Sequence, residues 1–133
     1  MSRTDDIINC AGHRLSTGAI EEILTQHKDV AECAVVGLND ELKGQVPIGL
    51  IVLNTSLMNS KETIIKETIN LVREKLGPVA SYKKSIIVEN LPKTRSGKIL
   101  RSTLSKILNK EDYKVPATIE DINALELIKN LKV

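Results

Sequence analysis

Phenylalanine and tryptophan are absent from this sequence and tyrosine occurs twice, so aromatic residues make up 2% of it. Any interior must therefore be aliphatic. Stacking of nucleobases on aromatic side chains, the usual way single-stranded nucleic acid is held, has almost nothing to work with. Cysteine is equally scarce. Cys10 and Cys33 stand far apart, without Cys-x-x-Cys spacing or a companion His cluster, which excludes a metal-ligand pattern and a disulfide framework and leaves two buried free thiols. No apolar run approaches the roughly 18 residues of a membrane span. The opening Met-Ser-Arg-Thr-Asp-Asp has no signal-peptide core. A net charge of +2 excludes a strong field over the whole surface. These absences point to a soluble protein of a reducing compartment, the cytoplasm or the mitochondrial matrix, with neither membrane nor nucleic acid as partner and no bound metal.

What remains is 133 residues, 41% hydrophobic and 27% charged, the composition of an ordinary globular domain. The length suits one domain and is short for an enzyme of two or more. Ile7 to Ala11 and His13 to Leu15, joined at Gly12, read as a small hairpin. Ser16 or Thr17 caps a helix with Ile20, Ile23 and Leu24 on its apolar face and Glu21 and Glu22 at its positive end. His27 closes that helix as a surface residue. Val30 to Leu38 and Val46 to Leu53 read as an antiparallel pair around a polar turn, with Pro47 marking an edge or a bulge. After a loop over 54–59, Ser60 or Asn59 caps the clearest helix, whose stripe is Ile65, Ile69, Val72 and Leu76 and whose end is Gly77-Pro78. Ser85 to Val88 is a third strand. Thr118 and Asp121 resemble a capping box before a last helix with Ile122, Leu125 and Ile128. The class is α+β: a small antiparallel sheet with two or three packed helices, preceded by a short hairpin.

The chain is organised around Pro92-Lys93-Thr94-Arg95-Ser96-Gly97-Lys98-Ile99-Leu100-Arg101, where four fixed positive charges fall in ten residues with no acid among them. Leu100, Leu104, Ile107 and Leu108 follow at helical spacing, so the glycine loop leads into a helix and Lys98 sits near its N-terminus, a place suited to a phosphate or carboxylate. A P-loop is ruled out, because the position that must hold its first glycine is Pro92. Composition alone leaves a merely solubilising basic turn open.

This stretch resembles the C-terminal signature of the adenylate-forming acyl-CoA synthetases. Arg3-Thr4-Asp5-Asp6, with Ile7-Ile8-Asn9 and Gly12-His13-Arg14-Leu15, resembles the hinge and adenylate-contacting signature of the same family. The Leu76-Gly77-Pro78-Val79-Ala80 run is similar to the short-chain branch, the acetyl- and propionyl-CoA synthetases. The resemblance implies a C-terminal lid domain over 1–133, with a hinge near 3–6 and a tail over about 110–133, working with the N-terminal domain of the same synthetase. It implies Lys98 as the catalytic lysine of adenylation, Asp5 as the hinge and Arg14 as an adenylate-binding residue. Gly12 and Arg73 are implied as CoA-binding, and His13 as structural. ATP, with Mg supplied in the full-length enzyme, coenzyme A and a short-chain carboxylate are the implied ligands. Two departures stand out: Ser2 replaces the family's usual glycine, and Ala11 replaces its frequent serine.

Two other readings need only part of this pattern. One is a basic module that binds nucleic acid or an acidic partner through Lys93, Arg95, Lys98 and Arg101. The other is a stand-alone regulator derived from the synthetase.

Overall fold

The computed structural model describes residues 7–10, 13–42, 44–54, 60–77, 82, 84–115, 117, 119–120 and 122–130. A hairpin of β1 (Ile7–Cys10) and β2 (His13–Ser16) opens it, in the register Ile7 opposite Ser16 to Cys10 opposite His13. Ser16 then caps α1 (Thr17–Leu24), its Oγ accepting from the Ala19 N–H at 3.3 Å. The apolar face of α1 is the expected one, with Ile20, Ile23 and Leu24 buried. Glu21 and Glu22, expected at its positive end, fall beyond its first turn, and Glu21 has a different use described below.

The Ala/Val-rich run forms β3 (Val30–Asp40), and after the turn at Glu41 and Leu42 the chain returns as β4 (Gly44–Leu53). The pair is antiparallel, with an irregularity between Val30 and Glu32. Five consecutive residues of β3, Cys33 to Gly37, are buried, so both faces of this strand are covered. Cys33 and Val35 join a core with Ile20, Leu24, Val72 and Tyr82; Ala34 and Val36 join a second one with Leu91, Leu104, Leu108 and Ile128. Helices therefore lie on both faces of the sheet. A fully buried Leu or Ile is worth about 1.5–3 kcal/mol, so the two cores together carry an interior without Phe or Trp.

Ser60 caps α2 (Lys61–Leu76), accepting from the Thr63 N–H, and Gly77 ends it. Its buried stripe is Ile64, Thr68 and Val72: Val72 is where it was expected, Ile64 and Thr68 take the place of the expected Ile65 and Ile69, and Ile69 and Leu76 pack only at the margin. The helix carries the chain back along β4, so β5 (Ser85–Ile87) joins β4 in parallel, Gly49 opposite Ser85. The α+β class and the preceding hairpin hold. The sheet, however, is mixed, because a 16-residue crossover helix delivers the third strand in the same direction. Pro47 lies between the Cys10–Gly44 pairing with β1 and the Gly49–Ser85 pairing with β5, a stretch of β4 with no partner on that side among the described residues. The last helices are α3 (Arg101–Leu108) and α4 (Asn123–Lys129), making four among the described residues. In α4, Leu125 and Ile128 are buried while Ile122 is exposed. Thr118, Asp121 and the loop over 55–59 lie outside the described residues.

Thr68 is buried because its hydroxyl belongs to a chain of three. Thr68 Oγ1 and Ser85 Oγ are 2.9 Å apart, and Ser85 Oγ is 2.7 Å from the Tyr82 hydroxyl. A Cβ placed on Gly49 would come within 2.0 Å of that same hydroxyl. The site has no room for a methyl group. Gly49→Ala is expected to cost about 1–3 kcal/mol, as overpacking of a closed core does, and Tyr82→Phe about 1 kcal/mol, the net worth of a hydrogen bond. Urea unfolding of the two variants measures both. A Gly49→Ala variant as stable as the parent would show that the tyrosine can move aside.

Candidate functional site

The basic stretch folds as a small hairpin. Lys93 pairs with Ile99, the Leu100 N–H donates to Pro92 O at 3.0 Å, and the Thr94 N–H donates to Lys98 O at 2.8 Å. The turn at its tip is closed by the Gly97 N–H on Thr94 O at 2.9 Å. Gly97 has φ 93, a conformation that side-chain-bearing residues avoid, so the glycine fixes where the chain reverses. Thr94 Oγ1 accepts from the Lys98 N–H at 3.2 Å and lies 2.9 Å from Ser96 Oγ. On its other side Thr94 pairs with Ile119, and the Glu120 N–H donates to Lys93 O at 2.9 Å.

The four cations divide into two pairs with different surroundings. Lys93 forms an ion pair with Glu32 of β3. Arg101 holds Glu21 of α1 with two donors, Nε to Oε2 at 2.8 Å and Nη2 to Oε1. The acids that sequence does not supply locally thus arrive from 61 and 80 residues away. Arg95 and Lys98 are exposed, and neither forms an ion pair with a described residue. Lys98 precedes α3 by three residues rather than standing in its first turn. The helix carries no side-chain cap at Leu100.

The other predicted residues lie elsewhere. Lys93 meets β3 at Glu32, near the start of the strand. Cys10 and His13, which flank Ala11 and Gly12, pair with each other, and Cys10 also pairs with Gly44, opposite Asp40 at the far end of β3. Eight residues of strand separate Glu32 from Asp40, about 26 Å. Arg73 is exposed in the last turn of α2. Thr68 contacts Ser85 beside Gly49, and Arg73 is five residues further along the helix, toward the Gly44 end. Asp5 and Gly12 lie outside the described residues. Arg14 is in β2 opposite Asn9, and its side chain is outside what is described. Among the described residues no group of three or more His, Cys, Asp or Glu gathers as a metal site, and no helix is long and apolar enough to cross a membrane.

His27, expected at the surface, has a side chain only 8% exposed. Its Nδ1 accepts from the Asp29 N–H at 3.1 Å and its Nε2 lies 3.2 Å from Glu67 Oε1 on α2. A sequence scan has no means of finding a partner on another helix. Glu21, Glu32 and Asn109 were missed for the same reason.

The family of AMP-binding enzyme C-terminal domains matches residues 19–98. The mitochondrial acyl-CoA synthetase short-chain family member B of Dictyostelium discoideum is 57% identical over 96% of this chain, which covers 19% of that protein. The mitochondrial acyl-CoA synthetase short-chain family member 3 of Homo sapiens is 53% identical over 91% of this chain and 18% of that protein. Among solved structures, a Brucella canis acyl-CoA synthetase superposes with a TM-score of 0.73 at 31% identity, over 83% of this chain and 20% of that one. The chain thus spans about a fifth of the length of the relatives it matches.

Cys33 lies behind the Glu21 ion pair, its Sγ 3.4 Å from Glu21 O. Burial first, and then the Glu21 carboxylate, push its thiol up from 9.0 to about 12. The folded protein therefore keeps a proton that the unfolded chain releases. The stability linked to this thiol is complete below pH 9 and is lost as the pH rises through about 12. A pH series of urea melts is expected to show stability falling above pH 9, with the early part of the fall missing in Cys33→Ala. An identical slope in both proteins would remove Cys33 as its source.

Proposed function

The chain belongs to the family of AMP-binding enzyme C-terminal domains, and from that premise we propose that residues 1–133 form the lid domain of a short-chain acyl-CoA synthetase. The hinge lies near residues 3–6 and a C-terminal tail runs over about 110–133. The complete enzyme, with its N-terminal domain, joins a short-chain carboxylate to the AMP part of ATP, Mg being supplied outside this domain, and then passes the acyl group to the thiol of CoA. Of the two compartments expected, the cytoplasm and the mitochondrial matrix, the relatives named mitochondrial favour the mitochondrial one for this chain.

The observation that carries the proposal is the division of the basic loop. Two cations are consumed by ion pairs, and Arg95 and Lys98 stand exposed on a turn of fixed shape. A nonspecific basic surface needs no such division, and pairing half of its charge weakens it. Lys98 fits the oxygens on which negative charge accumulates as carboxylate and phosphate join, where a charged donor stabilises without moving a proton. Arg14 contacts the adenylate. Gly12 and Arg73 serve CoA; Arg73 is on α2, whose Val72 packs in the first core, whereas Leu91 and Ile99 beside the basic loop pack in the second, on the other face of the sheet, so the two roles belong to two orientations of the domain. Rotation at Asp5 exchanges them.

Two substitutions in the full-length enzyme test this. Lys98→Ala is expected to slow adenylation about a hundredfold or more, the loss of about 3 kcal/mol of charge stabilisation in a dry site, while a supplied acyl-adenylate still reacts with CoA at close to the normal rate. Asp5→Pro is expected to do the reverse, because a fixed φ opposes the rotation. Equal slowing of both half-reactions by Lys98→Ala would make the lysine a structural part of the lid. The 133-residue chain by itself is expected to show no ATP-to-AMP turnover with acetate or propionate, and turnover would overturn the reading of it as a lid.

A further inference from the structure

We infer that Glu21 and Glu32 are positioning residues for Lys98, each pinning one foot of the glycine loop from a different element of the fold. The inference rests on the reading of Lys98 given above. The loop has little to hold it from within. A lone two-stranded hairpin is marginal in water, and the turn carrying Lys98 is closed by four hydrogen bonds, all of them centred on Thr94. The helix that follows begins without a side-chain cap.

What stands at its two feet is charge. Lys93 leads into the turn and is bound by Glu32, while Arg101 leads out of it and is bound by Glu21. Arg101 is also the first residue of α3, where a cation is opposed by the positive end of the helix. Glu21 reverses that penalty. Its own carboxylate is fixed by a second bond, since Oε2 accepts from the Val35 N–H at 2.9 Å. The side chains of Glu21 and Arg101 are 12% and 19% exposed, so solvent screens this pair little. Glu32 and Lys93 are more open, at 31% and 26%. Position is thus transmitted from α1 and β3 to the two feet, and from the feet through Thr94 to Lys98. Two further anchors are present: Leu91 and Ile99 pack in the second core beside the two feet, which fixes their depth, and the pairing with Ile119 and Glu120 holds the incoming side.

Glu21→Gln separates this role from a purely structural one, because the amide oxygen still accepts from Val35 while the charge facing Arg101 is gone. Glu32→Gln does the same for Lys93. Amide hydrogen exchange of this chain, read by NMR, is expected to speed about tenfold or more at Thr94, Gly97 and Lys98 in both variants, with the amides of β3 and β4 unchanged. The charge-exchanged pair Glu32→Lys with Lys93→Glu is expected to restore slow exchange. In the full-length synthetase, Glu21→Gln and Glu32→Gln are expected to lower the rate of adenylation about tenfold, less than the hundredfold that a 1 Å misplacement can cost, and to leave acyl transfer from supplied adenylate unchanged. Faster loop exchange with normal adenylation would uphold the pinning and refute the assignment of adenylation to Lys98. Unchanged loop exchange in folded Glu21→Gln and Glu32→Gln overturns the inference, whatever the activity. So does slower adenylation that the exchanged pair fails to rescue.

Discussion

The open edge of β3 is the constraint on which the rest of this structure depends. β4 covers one side of that strand, and on the other its backbone groups would be left to water or to another chain. Three of these groups are taken up by side chains instead. The Val35 N–H donates to Glu21, the Asn39 N–H donates to Asn109 Oδ1 at 2.7 Å, and Asn109 Nδ2 donates to Gly37 O at 3.0 Å. Asn109 thus offers the edge a donor and an acceptor, as one residue of a neighbouring strand would. Because Asn109 is the C-cap of α3 and Glu21 holds Arg101 at its first position, both ends of α3 are registered against β3. The helix that follows the loop therefore has its place along the strand set by the same bonds that satisfy the strand.

This arrangement explains why a surface loop needs no core of its own. Leu104 and Leu108 bury one face of α3 beside Ala34 and Val36, which fixes its height above the sheet. Apolar packing is non-directional and leaves sliding along the strand weakly opposed. Hydrogen bonds and ion pairs to particular backbone positions oppose it strongly. Exposed ion pairs contribute about 0–1 kcal/mol to stability, so Lys93–Glu32 has more to do with where the loop sits than with whether the protein folds.

Much of the fold was legible because it follows from periodicity and punctuation. Ser16, Ser60 and Gly77 mark helix ends where their chemistry places them, and the apolar faces of α1 and α3 follow the spacing of Ile and Leu. In α2, Val72 follows the spacing but Ile64 and Thr68 are buried in place of Ile65 and Ile69, because Thr68 counts as polar by periodicity, whereas Ser85 and Tyr82 make it a core residue. The direction of β5 carried a signal that went unused, since a helix of sixteen residues between two strands is a crossover length and not a hairpin length. Lys98 and its turn were legible from Gly97 and the run of charge. The acids that complete the arrangement were not, because nothing near Glu21 or Glu32 distinguishes them from solvated helix and strand carboxylates. His27 was misplaced for the same reason, its partner Glu67 standing 40 residues away on α2.

A rigid β3 also bears on the proposed function, in which one domain serves two steps. With ends about 26 Å apart, any pivot leaves at least one end on an arm of about 13 Å or more. A rotation of only 20° across the strand then displaces that end by about 4 to 5 Å or more. Hydrogen bonds survive over a window of well under 1 Å, so contact at one end is lost long before contact at the other is made. Such a device works only if the domain turns without bending, because a flexible loop would drag behind and blur the exchange. The side chains that close the edge of β3 and pin the glycine loop supply that stiffness. On the proposed function, in which Lys98 acts from a rotating domain, the loop that carries it has to be immobile within the domain.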